Sequence, residues 1–276
     1  MKSINSIREF ICFNQKELIQ YEYVVSQKHK NLRQYLENDN FNKDRLDEII
    51  QDLITTSYTD LIKILDNNIS LINQLFNSVG ISKNPRITIK TIEDGSVLDF
   101  FRSHAEVTLS TSEIENNTGF SEIMNSSKVM SFLRNNLEED FIKGKYKNQR
   151  LNAKLRKKLI AKEVTWEECW SPIRNDTTKV SCYRSTLIIP MAIRVNETDN
   201  ATFINKFSKI IAHAENTRTV WGFLCFDYDE KNIFLNNEDE LKNIGYIIAD
   251  ILSLYLMFFY DHISGSETFN TAIKKL

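Results

Sequence analysis

Two stretches of the chain decide its fold: residues 184–195 have the sequence RSTLIIPMAIRV, and residues 219–227 have the sequence TVWGFLCFD. Both are almost continuously apolar and rich in β-branched and aromatic residues, which is typical of strands. Strands that are apolar on both sides are covered on both faces. We therefore predict that these two stretches form the centre of a sheet with protein packed above and below it.

An alternating stretch earlier in the chain predicts a β-hairpin. In residues 86–92, RITIKTI, isoleucines alternate with polar residues. The pair Asp94-Gly95 follows, and such a pair is the strongest short-range signal for a hairpin turn. Residues 96–102, SVLDFFR, then form the returning strand. The sheet is therefore expected to be antiparallel.

Three long helices are expected around this sheet. Apolar residues at helical spacing predict one helix to about residue 36 and a second over residues 44–78, which Gly80 ends. A third covers residues 241–262. The last two carry apolar residues at alternating spacings of three and four, so they either pack on their own domain or pair with a second copy of the chain. If the helices pair with a second copy of the chain, their apolar residues form the contact between the copies, here called the dimer seam. Its residues would be Tyr58, Ile62, Leu65, Ile69, Ile72, Phe76, Ile244, Ile248, Ile251, Tyr255 and Phe258.

Together these elements predict an α+β fold, a central antiparallel sheet flanked by long helices with an N-terminal helical segment. We divide the chain into a helical segment at 1–45, a main domain at 46–264 and a tail at 265–276. Within the main domain we expect a helix over residues 120–137, a basic insertion at about 143–170 and a short helix over 203–214.

Composition excludes several classes of protein. Only 7 glycines and 3 prolines occur in 276 residues, which favours long helices and excludes collagen-like or linker-rich chains. The net charge of −2 gives no overall attraction to nucleic acid or membrane. The four cysteines lack any disulfide-framework spacing and the N-terminus lacks a signal peptide, so we expect a cytoplasmic protein with free thiols. The longest apolar run, residues 251–260, is too short to span a membrane and predicts a buried helix.

The chain also lacks the common catalytic and metal-binding motifs. It contains no HExxH, no P-loop, no GxGxxG and no GxSxG sequence. Its four histidines, His29, His104, His213 and His262, are too scattered to predict a ligand set. We therefore predict no catalytic residue, no metal site and no cofactor.

The basic segment at residues 143–162 is the most unusual part of the sequence. It contains nine lysines and arginines and no acidic residue. Three interpretations are open: a solvated flexible loop, a docking site for an acidic protein, or a contact with nucleic acid phosphates. Its one aromatic residue, Tyr146, supplies little for base stacking, so we expect no nucleic acid partner.

In its order of elements the chain resembles a GAF domain over about residues 46–264. Three parts of the sequence carry the resemblance: the hairpin at 87–101, the string GFSEIMNS at 119–126, and the series formed by 184–191, 220–227, Phe234 and 248–252. The related PAS-type sensor fold is the alternative. The chain departs from the cyclic-nucleotide-binding members, because its Asn205-Lys206-Phe207 continues with Ser-Lys, and from the bilin-binding members, because no histidine lies near a cysteine.

The resemblance implies a ligand pocket between the sheet and the helices on one face. Its predicted lining includes two arginines, Arg102 and Arg184, and an inward guanidinium requires an anionic partner. The full predicted lining is Phe101, Arg102, Phe132, Asn135, Tyr183, Arg184 and Trp221.

The resulting functional hypothesis is a non-enzymatic regulatory module. It would bind a small anionic ligand, form a homodimer through its helices and signal to a separate output protein. One alternative is a protein–protein interaction module with a filled pocket that acts through residues 143–162. A second is a thiol-dependent reductase of the GAF class, in which Cys169 or Cys182 would react.

Overall fold

The computed structural model describes residues 2–37, 42–93, 95–104, 111–125, 130–170, 182–194, 212–214 and 218–273. Within them the chain forms α-helices and β-strands joined by short connections. The helices are α1 (Lys2–Leu36), α2 (Lys43–Ser78), α3 (Thr118–Met124), α4 (Leu137–Ile142), α5 (Arg156–Ile160) and α6 (Glu238–Ile273). The strands are β1 (Arg86–Glu93), β2 (Ser96–Arg102), β3 (Thr111–Glu113), β4 (Phe132–Arg134), β5 (Ser185–Arg194), β6 (Ala212–Ala214) and β7 (Arg218–Tyr228).

All described strands belong to one antiparallel sheet, with the order β3-β2-β1-β7-β5-β4. The strand β6 pairs with β7 at Val220, beyond the point where the pairing of β1 ends at Gly222. The two apolar stretches that predicted the centre of the sheet are β5 and β7, and they pair with each other from Ser185–Tyr228 to Arg194–Arg218. The predicted α+β class with a central antiparallel sheet is therefore confirmed.

One face of the sheet, here called the helix face, packs against the long helices. Ile87 and Ile89 of β1 and Leu224 of β7 are buried there with residues of α2 and α6. The helix α1 lies on α2 and α6, and its buried residues Phe10 and Leu32 join the same core. The division into three regions stays a prediction.

Buried polar contacts fix the relative positions of the three long helices. Asn14 on α1 donates a hydrogen bond to the side-chain oxygen of Asn68 on α2 at 2.7 Å. The hydroxyl of Tyr255 on α6 donates to the backbone oxygen of Asn14 at 2.8 Å, and Tyr21 donates to the backbone oxygen of Ser57 at 3.1 Å. Because a buried polar group that loses its partner is costly, these bonds select one packing of the helices.

The predicted dimer seam lies largely within this core. Tyr58 is 38% exposed, whereas the other seam residues are buried or partly buried against their own chain. The dimer is still a prediction. Its interface would be formed by those residues of the predicted seam that are partly exposed. Six residues are fully committed to the intrachain core: Leu65, Ile72, Phe76, Ile244, Ile248 and Tyr255.

The segment of α6 from Glu238 to His262 is long and apolar enough to cross a membrane by length and composition alone. Half of its most apolar part is buried inside the protein. A core helix passes the same test, and Ile248, Leu252 and Leu256 pack in the helix-face core. The predicted buried helix is therefore present, while the cytoplasmic location stays a prediction.

The opposite face of the sheet, here called the site face, has a second apolar core. Val220 and Phe223 of β7 and Ile188 of β5 are buried there. Covering them are Phe120 from α3 and Trp166 from the connection before β5. Both faces of the central strands are thus covered, as their composition predicts.

Several local predictions were wrong. The helix expected over 120–137 ends at Met124, because Phe132–Arg134 pairs with β5 as the edge strand β4. The described end of the helix expected over 203–214 is the strand Ala212–Ala214; the remaining positions, like Asp94 of the predicted turn, lie outside the described residues.

The basic segment is also folded rather than a loose loop. Its Tyr146, Leu151 and Leu159 are buried in the site-face core, and Leu151 forms an isolated bridge with Trp170. The burial of these three residues could not be predicted from the sequence, because their spacing follows neither a helix nor a strand period and most of the residues between them are polar.

Candidate functional site

Charged residues from three adjacent strands meet on the site face. The register places Arg86 opposite Asp227 and places Lys90 opposite Asp99. It also places Thr88 between Arg102 on β2 and Cys225 on β7. Since directly opposed and diagonal residues on one face lie within reach of each other, β1, β2 and β7 bring these side chains into one cluster.

A β-bulge in β2 makes this arrangement possible. The pairing shifts between Ile89 and Lys90, so that Phe101 opposes Ile89, Asp99 opposes Lys90 and Phe100 has no opposite residue. One extra residue changes which face the following side chains occupy. As a result Asp99 and Arg102 share the site face although they are three positions apart, while Phe101 enters the helix-face core.

Asp99 is the central anion of the cluster. Its side chain is fully buried, and its carboxylate accepts hydrogen bonds from Nζ of Lys90 and from Nη2 of Arg102. Nε of Arg102 is buried and has no hydrogen-bond partner in the described part of the chain. Lys90 and Arg102 therefore share one carboxylate, and the Nε–H of Arg102 remains a donor that no described residue uses.

Two further guanidinium groups approach from the start of β1 and from the basic segment. Arg86 donates from Nη2 to the backbone oxygen of Cys182 at 2.7 Å, and its Cζ lies 5.5 Å from the centre of the Tyr183 ring. Cζ of Arg150 lies 5.6 Å from the centre of the Trp170 ring. Such stacking on aromatic faces holds a guanidinium in a fixed plane.

Burial and the surrounding charges change the pKa of Arg150. Burial lowers the pKa of Arg150, and the positive charges of Arg102 and Arg86 lower it further, while Tyr183 and Asp227 act in the opposite direction. An anion placed among three guanidinium groups would relieve this repulsion.

Asp227 forms the second carboxylate of the site. It accepts a hydrogen bond from Oγ1 of Thr186 at 2.6 Å. Burial raises the pKa of Asp227 above its ordinary value of 3.8, although Arg86, Lys90 and Arg102 oppose this effect. The site therefore places four cations near two carboxylates, one of which holds its proton more firmly than usual.

Two tyrosines cover the cluster. The hydroxyl groups of Tyr146 and Tyr183 lie 3.3 Å apart, and the amide of Asn148 donates to Tyr183 at 2.9 Å. Burial raises the pKa of both tyrosines, so both remain neutral hydrogen-bond donors. These three residues add neutral hydrogen-bonding groups beside the charged side chains of the cluster.

The residues of the predicted pocket do not lie together, and five of the seven divide between the two faces of the sheet. Arg102, Tyr183 and Phe132 lie on the site face, whereas Phe101 and Trp221 lie in the helix-face core.

The other two predicted lining residues have structural partners outside the cluster. The guanidinium of Arg184 binds the carboxylates of Glu138 and Glu167. Asn135 joins three elements: its amide donates to Glu238 at the start of α6 at 2.8 Å and accepts from the backbone of Phe234 at 2.9 Å. Neither side chain is free to meet a ligand without losing these bonds.

Sequence reasoning missed five members of the cluster: Arg86, Lys90, Asp99, Arg150 and Asp227. The available signal was the pattern of β1, in which Arg86, Thr88 and Lys90 alternate with buried isoleucines. That pattern is typical of an antiparallel strand with one solvated face, but here the polar face of β1 lies between the polar side chains of its neighbours β2 and β7.

Three of the four cysteines, Cys169, Cys182 and Cys225, lie in surroundings that disfavour reactivity. Burial raises the pKa of Cys169 and Cys182, and the charge of Glu167 raises both further. Burial also raises the pKa of Cys225 at the cluster. A thiol with a raised pKa contains little thiolate at neutral pH, so this site offers no activated nucleophile. Among the described residues, no group of three or more histidine, cysteine, aspartate or glutamate side chains could hold a metal ion.

Comparisons with known proteins give only a coarse likeness. No family model and no curated protein matches the chain. Among solved structures, a free methionine-R-sulfoxide reductase from Neisseria meningitidis in complex with its substrate is similar with a TM-score of 0.35 and 8% identity, over 79% of this chain and 95% of that one. Residues 122 to 287 of a methyl-accepting chemotaxis protein are similar with a TM-score of 0.34 and 10% identity, over 76% and 97% of the two chains. The GAF-like architecture is thus matched only as an antiparallel sheet with long helices, and these likenesses carry no argument about function.

Proposed function

We propose that the protein is a non-enzymatic regulatory module of GAF-like architecture that binds a small anion on the site face and signals through its long helices to a separate protein. The observation that supports this best is the group of Arg86, Arg102 and Arg150 around the buried Asp99 and the half-buried Asp227, together with the buried Nε of Arg102, which has no hydrogen-bond partner among the described residues. Planar guanidinium groups suit carboxylate and phosphate ligands because they donate parallel hydrogen bonds.

The connections of the strands supply a route for the signal. Arg86 begins β1, and α2 ends at Ser78, only a short connection earlier. Asp227 lies near the end of β7, and the connection that follows leads to α6, whose start is bonded to Asn135 through Glu238. A ligand that changes the positions of Arg86 on β1 and Asp227 on β7 would therefore shift the ends of α2 and α6, which are the elements that a partner protein or a second copy would contact.

Binding of simple anions tests the proposal directly. The thermal midpoint is measured with inorganic phosphate, pyrophosphate, succinate and cyclic nucleotides, against chloride at equal ionic strength. A ligand that binds only the native state raises the midpoint as its concentration exceeds the dissociation constant. We expect at least one of these anions to raise it and isothermal titration to give a saturable constant for the same anion.

Matched variants localise the binding. Arg102→Gln and Arg150→Gln should each abolish the anion-dependent rise. Arg184→Gln serves as the control, because this guanidinium is held by Glu138 and Glu167 outside the cluster. The Arg184→Gln variant should have a lower thermal midpoint in the absence of anion, and anion should still raise that midpoint as it does in the wild type. If no anion acts on the wild-type protein, or if all three variants respond alike, the proposed site is wrong.

A further inference from the structure

A second charged surface lies on the outside of the same region. The basic segment exposes eight cations, while its apolar anchors Tyr146, Leu151 and Leu159 point inward. We call this surface the basic face; its cations are Lys143, Lys145, Lys147, Lys154, Arg156, Lys157, Lys158 and Lys162.

Seven of the eight cations of the basic face form no salt bridge in the described part of the protein. Lys143 forms an ion pair with Glu139, and this is the only salt bridge that any of the eight makes in the described part of the protein. The segment has no acidic residue of its own, although the whole chain has a net charge of −2. Such local concentration of like charge is unfavourable unless an oppositely charged surface faces it.

The basic face is held in a fixed shape. Thr118 donates from its backbone to the backbone oxygen of Lys147 at 3.1 Å, and the backbone N–H of Lys147 donates to Oγ1 of Thr118 at 2.8 Å. Asn152 donates from its backbone to the backbone oxygen of Cys169 at 2.9 Å. A preformed surface loses less entropy on binding than a flexible loop does.

One apolar side chain lies among these cations. Ile160, the last residue of α5, is 55% exposed, and in the sequence it follows Lys157 and Lys158 and precedes Lys162, which are all exposed. An apolar centre with a charged rim is typical of a protein–protein contact.

Nucleic acid fits this surface less well. The aromatic residues of the region, Tyr146, Trp166 and Trp170, are all buried, so none can stack on a base. The helix α5 has only five residues and is too short to enter a major groove as a recognition helix.

We infer that the basic face is the docking surface for an acidic protein segment, an amphipathic helix rich in glutamate and aspartate that places one apolar side chain on Ile160. This inference does not depend on the anion site, because the exposed cations and the buried cluster use different side chains.

A designed acidic peptide tests the inference in place of the natural partner. The probe is a fluorescent 20-residue amphipathic helix with glutamates on one face and leucine at its centre; the same peptide with glutamine in place of glutamate is the uncharged comparison. Fluorescence anisotropy with the full chain should show saturable binding of the acidic peptide that weakens as salt increases. The uncharged peptide should not bind.

Charge reversal then locates the contact. The variant Lys154→Glu, Arg156→Glu, Lys157→Glu, Lys158→Glu should weaken peptide binding by about ten-fold or more, since several ion pairs are replaced by repulsion. The control variant Lys2→Glu, Arg8→Glu, Lys16→Glu, Lys30→Glu changes the net charge by the same amount on exposed positions of α1 and should bind as the wild type does. The variant Ile160→Ser keeps all eight cations of the basic face and should nevertheless bind the peptide more weakly than the wild type does. Circular dichroism and the thermal midpoint establish that each variant is folded.

Competition experiments distinguish a protein partner from nucleic acid and from a membrane. Duplex DNA and vesicles containing phosphatidylserine are titrated against the bound peptide. Absence of peptide binding, equal loss in both charge-reversal variants, or a clear preference for DNA or vesicles over the peptide would overturn the inference. Retention of the anion-dependent rise in the basic-face variant would show that the two sites are separate.

Discussion

Arg86 donates a hydrogen bond to the backbone oxygen of Cys182 at 2.7 Å while its guanidinium lies over the ring of Tyr183. This contact joins the first residue of β1 to the segment that leads into β5, across the sheet order in which β7 separates the two strands. A charged group therefore holds together two elements that share no backbone pairing. The anion site and the local stability of the sheet depend on the same side chain.

Arg86→Lys tests this double role. Lysine keeps the positive charge but has no planar group to stack on Tyr183 while it donates to Cys182. We expect unfolding to become easier by about 1 kcal/mol, the net value of one such hydrogen bond, and we expect the anion-dependent rise of the thermal midpoint to shrink. Urea denaturation and the anion titration measure the two effects. An unchanged response to anions would mean that charge alone matters at this position.

Asp99→Asn tests the central carboxylate. The substitution leaves Lys90 and Arg102 without the anion that both contact, so we expect a loss of about 3 kcal/mol in the free energy of unfolding. The variant should also bind phosphate more tightly than the wild type, because the site has one negative charge fewer. Asp52→Asn is the control: its carboxylate is 70% exposed, and its ion pair with Lys28 should contribute less than about 1 kcal/mol. Equal losses in the two variants would contradict the burial argument.

The large elements of the fold could be predicted because their sequence periods are long and uninterrupted. The helices α1, α2 and α6 and the strands β1, β2, β5 and β7 all lie close to their predicted positions. Gly80 follows α2 with a φ of +91°, as its position after the last helical residues predicts. The edge strand β4 could not be predicted, because Phe132, Leu133 and Arg134 are too few residues to show a strand period, and only pairing with β5 makes them a strand.

The site could be predicted only in part, for a different reason. The resemblance to a GAF domain implies Arg102 and Tyr183 as lining residues, but the bulge at Phe100 decides which residues accompany them on the site face. No local sequence signal marks that bulge. Arg150 joins the cluster because Leu151 and Trp170 pair across the basic segment, a contact that depends on tertiary packing.

Thiol labelling tests the reductase alternative. Cys12 is exposed, Cys169 and Cys225 are buried, and burial raises the pKa of Cys169 and Cys182. In the folded protein at neutral pH we therefore expect Cys12 to react first and the other three to react at least about ten-fold more slowly. Mass spectrometry of peptides at short labelling times gives the individual rates, and Cys12→Ser removes the fast phase. A fast reaction of Cys169 or Cys182 in that variant would instead favour a thiol-dependent activity.

The last prediction concerns the pH dependence that Asp227 imposes. Burial raises its pKa in the folded protein above the ordinary value of 3.8, so the native state binds this proton more tightly than the unfolded chain does. Protonated Asp227 therefore stabilises the native state fully at pH values below the pKa of this residue in the unfolded chain. The stabilisation is lost as the pH rises through the pKa of Asp227 in the native state. Asp227→Asn cannot titrate, and its side-chain oxygen can still accept the hydrogen bond from Thr186. Relative to the wild type, the variant should therefore gain free energy of unfolding as the pH is raised from about 4 towards neutrality, which urea denaturation at a series of pH values measures. A difference that stays constant over this range would mean that the neighbouring arginines and Lys90 fully compensate the burial of the carboxylate.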